Sequence, residues 1–156
     1  MSRVIAVAAT LLATLAVAQT NQTLLTVPNI PGSALSGRIP VSGWSLVSGA
    51  GTAGTVKVSS LAITQVDDES APLLLKAYAK STVLGDLVLE RFDGSGNRVM
   101  RLTLVRATVS SMSTTGSSGS LPAVQWTVKF ATATFEVFTR DTAGREVRSF
   151  VDLAVL

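Results

Sequence analysis

Residues 55–84, TVKVSSLAITQVDDESAPLLLKAYAKSTVL, read as a strand, an acidic turn and a helix, and the rest of the chain is arranged around them. Val56, Val58 and Ile63 with the small residues between them suit a pleated, half-buried surface. Asp67, Asp68 and Glu69 follow, then Ser70 as the expected N-cap and Pro72 in the first turn, where its fixed φ and missing N–H are harmless. The spacing predicts a helix over residues 71–80 with Leu74, Ala77 and Tyr78 on one face. Lys76 and Lys80 lie near its C-terminal end, where the helix dipole favours positive charge.

At 156 residues and 47% hydrophobic content the chain is expected to form one domain with a sizeable core. Part of that hydrophobicity is a leader. Arg3 precedes an apolar run over residues 4–16, and Ala16-Val17-Ala18 is a small-x-small cleavage site, so residues 1–18 read as a signal peptide and Gln19 as the first mature residue. The run is shorter than the roughly 20 residues that cross a bilayer, so no stable membrane anchor is expected after cleavage. Loss of Arg3 leaves 12 of the 13 basic residues against 10 acidic ones, a net charge of +2. The basic residues form no run, which gives nucleic-acid binding no support. With no cysteine, the domain must be held by its core or by its neighbours.

Residues 19–37 read as an N-terminal arm or linker, since Pro28, Pro31 and Gly32 interrupt any regular pairing. Asn21-Gln22-Thr23 is a formal glycosylation sequon whose short pattern arises often by chance. The domain proper is placed at residues 38–156. Pro40 favours an edge position for the strand over residues 38–46, and Trp44 is large enough to anchor either a core or a subunit contact. Gly49, Gly51 and Gly54 form a loop to the next strand; because a strand follows, with no Lys-Ser/Thr, the loop is no phosphate cradle.

After the helix, residues 86–92 alternate and Asp93-Gly94-Ser95-Gly96-Asn97 closes a hairpin. These oxygens resemble the start of a calcium loop, but no carboxylate follows at the required distance, so a turn is expected. Residues 98–112 return, with a change of face near Val105 that points to a bulge or barrel corner. Residues 113–120, containing Ser117, Ser118 and Gly119, are expected as an exposed loop. Trp126, Val128 and Phe130 then share one face while Phe135 and Val137 take the other parity, and residues 141–144 turn the chain into a last strand. Roughly seven strands and one helix argue a mainly β or α+β barrel.

Histidine and cysteine are absent, which removes the usual general base, thiol nucleophile and soft metal ligand. Asp67, Asp68 and Glu69 are the only acidic cluster, and carboxylates before a helix N-terminus are favoured electrostatically without any catalytic role. No enzyme activity, cofactor or metal is therefore expected.

The order of VSSLAITQVDDESAPLLLKAYAKSTVLGDLVLERF, RLTLVRATVSSMSTTGSSG and LPAVQWTVKFATATFEV, with Gly43-Trp44 upstream, resembles the haemolysin-coregulated protein (Hcp) family over residues 39–137. The resemblance implies a two-sheet β-barrel with one flanking α-helix, assembled into six-membered rings that stack as the tube of the type VI secretion machine, with cargo in the lumen. It places the helix at the lumen and the loops around residues 49–54 and 113–120 at the ring faces. Candidate subunit contacts on that basis are Trp44, Gly49, Gly51, Gly54, Asp67, Asp68, Glu69, Ser117, Ser118 and Gly119. Tube proteins of this kind are assembled in the cytosol without a leader, so the expectation here is a tube outside the cell or associated with its envelope. The alternative is an exported ligand- or glycan-binding barrel that does not polymerise.

Overall fold

The computed structural model of the chain describes residues 20–50 and 56–155; the expected leader, Gln19, Gly51 and Gly54 lie outside the described residues. The elements are β1 (Gln22–Thr26), a 3-10 turn (Leu35–Gly37), β2 (Ile39–Ala50), β3 (Val56–Val66), α1 (Ser70–Ala79), β4 (Val83–Phe92), β5 (Arg98–Thr115), β6 (Ala123–Lys129), β7 (Thr132–Arg140) and β8 (Glu146–Val155).

All strands belong to one sheet in the order β2-β1-β4-β5-β6-β3-β8-β7, with added pairings of β2 to β3 and β5 to β7. The pairing of β2 with β3 returns the hydrogen bonding to its start, so β1, β4, β5, β6, β3 and β2 close a barrel whose two layers are parts of one circuit. Closure removes edges from most of the strands. Residues of β6 and β7 pair along the same edge of the long β5, Thr115 to Ala123 at one end and Met100 to Val137 at the other.

Alternation decides what is buried. Leu25, Leu89 and Leu102 lie across β1, β4 and β5 in one inward row, at 0%, 1% and 0% exposure. Leu61, Ile63, Val124, Trp126 and Val128 fill the other layer. The change of face expected near Val105 falls at Arg106, which has φ +55° and lets both Leu104 and Ala107 point inward. Its N–H is held by Asp86 Oδ1 at 3.1 Å.

Of the expected arm or linker, the described residues 20–37 lie on the barrel. Gln22–Thr26 is β1, paired with β2 and β4, and Leu24, Leu25, Val27 and Ile30 are buried. The prolines follow the strand and do not interrupt it. Gly32 packs so closely on β2 that a Cβ would lie 2.6 Å from Arg38 O and Ile39 Cα, which locks the turn to the barrel. Residues 113–115, expected in the serine-rich loop, extend β5.

Candidate assembly surfaces

The acidic turn has an internal task. Asp68 Oδ1 accepts the Ser70 N–H at 2.9 Å and the Ser70 hydroxyl, and Asp68 Oδ2 accepts the Ser33 N–H at 3.0 Å. The N-cap position is Glu69, whose side chain makes no capping bond; Asp68, one residue earlier, holds the first helical N–H in its place, and Ser70 is a helical residue instead of the N-cap. The arrangement continues inward: Gln65 Nε2 donates to Ser70 Oγ at 2.8 Å, and Trp126 Nε1 donates to Gln65 Oε1 at 3.0 Å. Gln65, Ser70 and Trp126 are at most 1% exposed, so this chain satisfies buried polar atoms that would otherwise be costly. Burial raises the Asp68 pKa, but the hydrogen bonds from Ser70 and Ser33 outweigh it and hold the carboxyl below its ordinary value.

Asp67 and Glu69 are exposed, and the Asp67 N–H donates to Pro122 O at 2.8 Å, which fixes the serine-rich loop beside the helix start. Ser117, Ser118 and Gly119 are exposed on that loop, where Gly119 takes φ +87°. The structure thus brings Asp67, Glu69 and Ser117–Gly119 to one end of the barrel. Trp44 is part-buried and packs against the core, and one side of it lines a groove of about 440 Å³ with Asn21, Thr23 and Arg91. Gly49 lies in the outer part of β2, paired with Lys57. On α1 the buried stripe is the narrow line Ala71, Leu74, Ala77; Tyr78, expected to share it, is 39% exposed, as are Leu73 at 39% and Leu75 at 54%.

Two hairpin loops use their aspartates alike. Asp93 Oδ1 accepts the N–H groups of Asn97 at 2.8 Å and Ser95 at 2.9 Å, and Asp141 Oδ1 accepts those of Arg145 and Ala143, both at 2.9 Å. Hydrogen bonds from Asn97 lower the Asp93 pKa, and those from Arg145 lower that of Asp141. The Asp93 carboxylate is thus engaged by its own turn, which is the reading expected over a calcium loop.

The outward sides of the barrel differ. On β4, β5, β7 and β8 one row runs Glu90, Arg101, Glu136, Phe150. Glu90 receives Arg101 at 3.0 Å, Arg98 at 3.2 Å and Arg38 at 3.8 Å; Glu136 receives Arg148 at 2.6 Å and Arg101 at 4.0 Å. Arg98 also stacks 4.1 Å above the Phe138 ring, and its buried Nε finds no acceptor. Across β2, β3, β6 and β5, by contrast, the rows are Ser45, Ala62, Thr127, Ser111 and Gly43, Thr64, Gln125, Ser113. No charged residue stands in either row.

Beyond these rows β8 is exposed on both faces from Glu146 to Asp152. Val147, Phe150 and Val151 are 44%, 62% and 48% exposed. One edge of β8 pairs with β7, while the other, among the described residues, meets β3 at Ala154 and Val155. Sequence reading missed this and the arginine–glutamate network. The usable signal was parity: Glu136, Arg148 and Phe150 fall on the outward positions of consecutive strands.

Residues 35–137 match the family described as type VI secretion system effector, Hcp. Similar solved structures include Hcp1 from Salmonella typhimurium, with a TM-score of 0.71, 18% identity and coverage of 86% of this chain and 95% of that one. A type VI secretion system effector from Yersinia pestis is similar at a TM-score of 0.71 and 14% identity, covering 84% of this chain and 99% of that one. Hcp3 from Pseudomonas aeruginosa, described as a secreted protein, has a TM-score of 0.60 at 13% identity, covering 83% and 95%. No curated protein matches the chain significantly.

Proposed function

Because the chain belongs to the Hcp family of type VI secretion proteins, we propose that it is a structural subunit that self-assembles into rings, stacked as a hollow tube outside the cell or on its envelope. The observation that carries this reading is the family match over residues 35–137 on a closed β-barrel. Large apolar side chains left exposed on α1 support it, since exposed apolar patches mark contact sites. A head-to-tail contact that closes makes a ring, and a second contact along its axis makes a tube. In this reading the cluster of Asp67, Glu69, Ser117, Ser118 and Gly119 is a stacking surface at one end of the barrel, and Gly49, paired with Lys57 at the opposite end of β3, marks the other ring face with the expected loop residues Gly51 and Gly54; Trp44 contributes through its exposed side, and Asp68 by holding the turn in shape. Catalysis has no part in it: the chain has neither histidine nor cysteine, and the Asp68 carboxylate is committed to the helix start.

No helix among the described residues is long and apolar enough to cross a membrane. Export rests on the leader at residues 1–18. Negative-stain electron microscopy of the secreted protein, with N-terminal sequencing of the same sample, tests both points. Rings or hollow tubes of uniform diameter starting at Gln19 are expected. Monomers at high concentration would overturn the tube and leave the non-polymerising, ligand-binding barrel as the reading.

A further inference from the structure

We propose that β8 is a self-complementary edge, through which two copies of the chain pair antiparallel about a two-fold axis at Phe150. The contact is separate from the head-to-tail contact of a ring. β8 also lies beyond the residues matched by the family.

The free edge sets the length available. Ala154 and Val155 are occupied by β3, and among the described residues no strand stands beside residues 146–153 on that edge. Exposed edges are normally blunted by proline, charged side chains, lysine above all, or a bulge; the charges here, Glu146, Arg148 and Asp152, are of both signs. This one has neither proline nor lysine, and its pairing with β7 runs without a register break from Glu146 to Leu153.

Charge chooses the register. With Phe150 opposite Phe150 of a second copy, Arg148 faces Asp152 of that copy, Asp152 faces its Arg148, and Val147 faces its Leu153. All of residues 147–153 are used and none beyond the free edge is needed. Sliding by one position, with Ser149 on the axis, sets Glu146 against Asp152 twice, and like charges directly opposite are destabilising. Both groups have capacity to spare. Arg148 reaches Glu136 through Nε at 2.6 Å, which leaves its two terminal amino groups. Asp152 accepts Thr134 Oγ1 on Oδ1 at 2.7 Å, which leaves Oδ2.

Apolar continuity supports the same arrangement. The inward row Leu25, Leu89, Leu102, Phe135 ends on β8 at Val151, where exposure rises to 48%. In the paired sheet Val147 sits beside the second copy's Leu153, the residue where that copy's core begins. Each chain thus extends the other's core row past its own last strand.

The chain has no cysteine, so single cysteines report the contact cleanly. In the full chain, Phe150→Cys is treated with a short thiol-to-thiol cross-linker and compared with Gln125→Cys on the opposite side of the barrel. Phe150→Cys is expected to give a covalent dimer roughly tenfold faster or more, because pairing raises the effective concentration of the two thiols. Adding Arg148→Asp is expected to remove that advantage, and adding both Arg148→Asp and Asp152→Arg to restore it. Equal rates at the two cysteines, or no recovery in a charge-swapped chain with unchanged circular dichroism, would overturn the proposal. A head-to-tail ring sets Phe150 against a different residue and does not link it to itself. Rings without Phe150 dimers therefore sink the two-fold contact alone, and dimers without rings sink the tube alone.

Discussion

β4, β5, β7 and β8 turn carboxylates and guanidinium groups outward and pair them over phenylalanine rings, whereas the rows across β2, β3, β6 and the far half of β5 turn outward hydroxyls, one amide and small side chains, with Lys129 at the end of β6. Both faces stand on the same closed core. On the first face Glu136 is only 5% exposed, so a charge there must be met by another charge from a neighbouring strand. On the second, the hydroxyls either face water or donate to a neighbouring backbone carbonyl, as Ser42 does to Thr64 O and Ser110 to Thr127 O, and no charge has to be met across strands. The strand order is thus coded by charge on one side and by backbone pairing and inward packing on the other. The charged face, with its aromatic and arginine side chains, also has the composition that dominates binding energy at protein contacts, which the hydroxyl face lacks.

The largest expected effect breaks the charged side. Glu90→Gln keeps shape and an acceptor oxygen but removes the one negative charge shared by Arg38, Arg98 and Arg101. Three guanidinium groups would then crowd an uncharged amide. A loss of about 3 kcal/mol is expected, at the low end for a broken buried pair because the arginines keep 23–33% exposure. Urea unfolding measures it through the midpoint at unchanged slope. A loss below about 1 kcal/mol would mean that the network behaves as an ordinary surface set of ion pairs.

A smaller effect, confined to the loops of that side, follows from pH. Asp93 and Asp141 close the hairpins β4–β5 and β7–β8, and both have pKa values held below the ordinary 3.8 by hydrogen bonds from Asn97 and Arg145. A carboxyl whose folded pKa is depressed stabilises the fold above its unfolded value and loses that contribution as pH falls through the folded value. The two loops should therefore open first as pH drops below about 4. Hydrogen exchange corrected for the intrinsic pH dependence of the rates is expected to show faster opening at residues 93–97 and 141–145 than in β3 and β6. Asp93→Asn should remove the step in its own loop and leave the other. Uniform opening across the sheet would show that acid acts on the barrel as a whole.

Much of this was legible in the sequence where the signal is local. The strand, acidic turn and helix of residues 56–79 are read from caps and spacing, both hairpin turns from aspartate and glycine, and the corner near Val105 from a change of parity that Arg106 realises with positive φ. Long-range relations were not legible. β1 stayed hidden because Leu24 and Leu25 are adjacent and both buried, so no alternation marks the strand, and the prolines after it read as a linker. Tyr78 was misplaced because helical spacing predicts a face but not how wide a stripe the neighbours cover. The Glu90 cluster gathers residues from β2's approach, β4 and β5, and nothing in a single stretch announces that Arg38 and Arg101 meet.

The smallest expected effect is a null one, and it tests the contrast from the other side. Gln125 and Ser113 face each other across β6 and β5, both exposed, and neither side chain makes a hydrogen bond or ion pair among the described residues. Changing either to glutamate introduces a charge with full access to water, where no desolvation has to be offset and no partner is left behind. Each variant should unfold within about 0.5 kcal/mol of the parent. Combined with Glu90→Gln on the far side of the barrel, Gln125→Glu should add its effect within about 0.5 kcal/mol, since the two sites share no partner. A loss above about 1 kcal/mol in an isolated subunit, or strong coupling to Glu90, would mean that the hydroxyl face is as interdependent as the charged one. If the subunit keeps its stability while rings are lost on the microscope grid, the hydroxyl face is itself covered in the assembly.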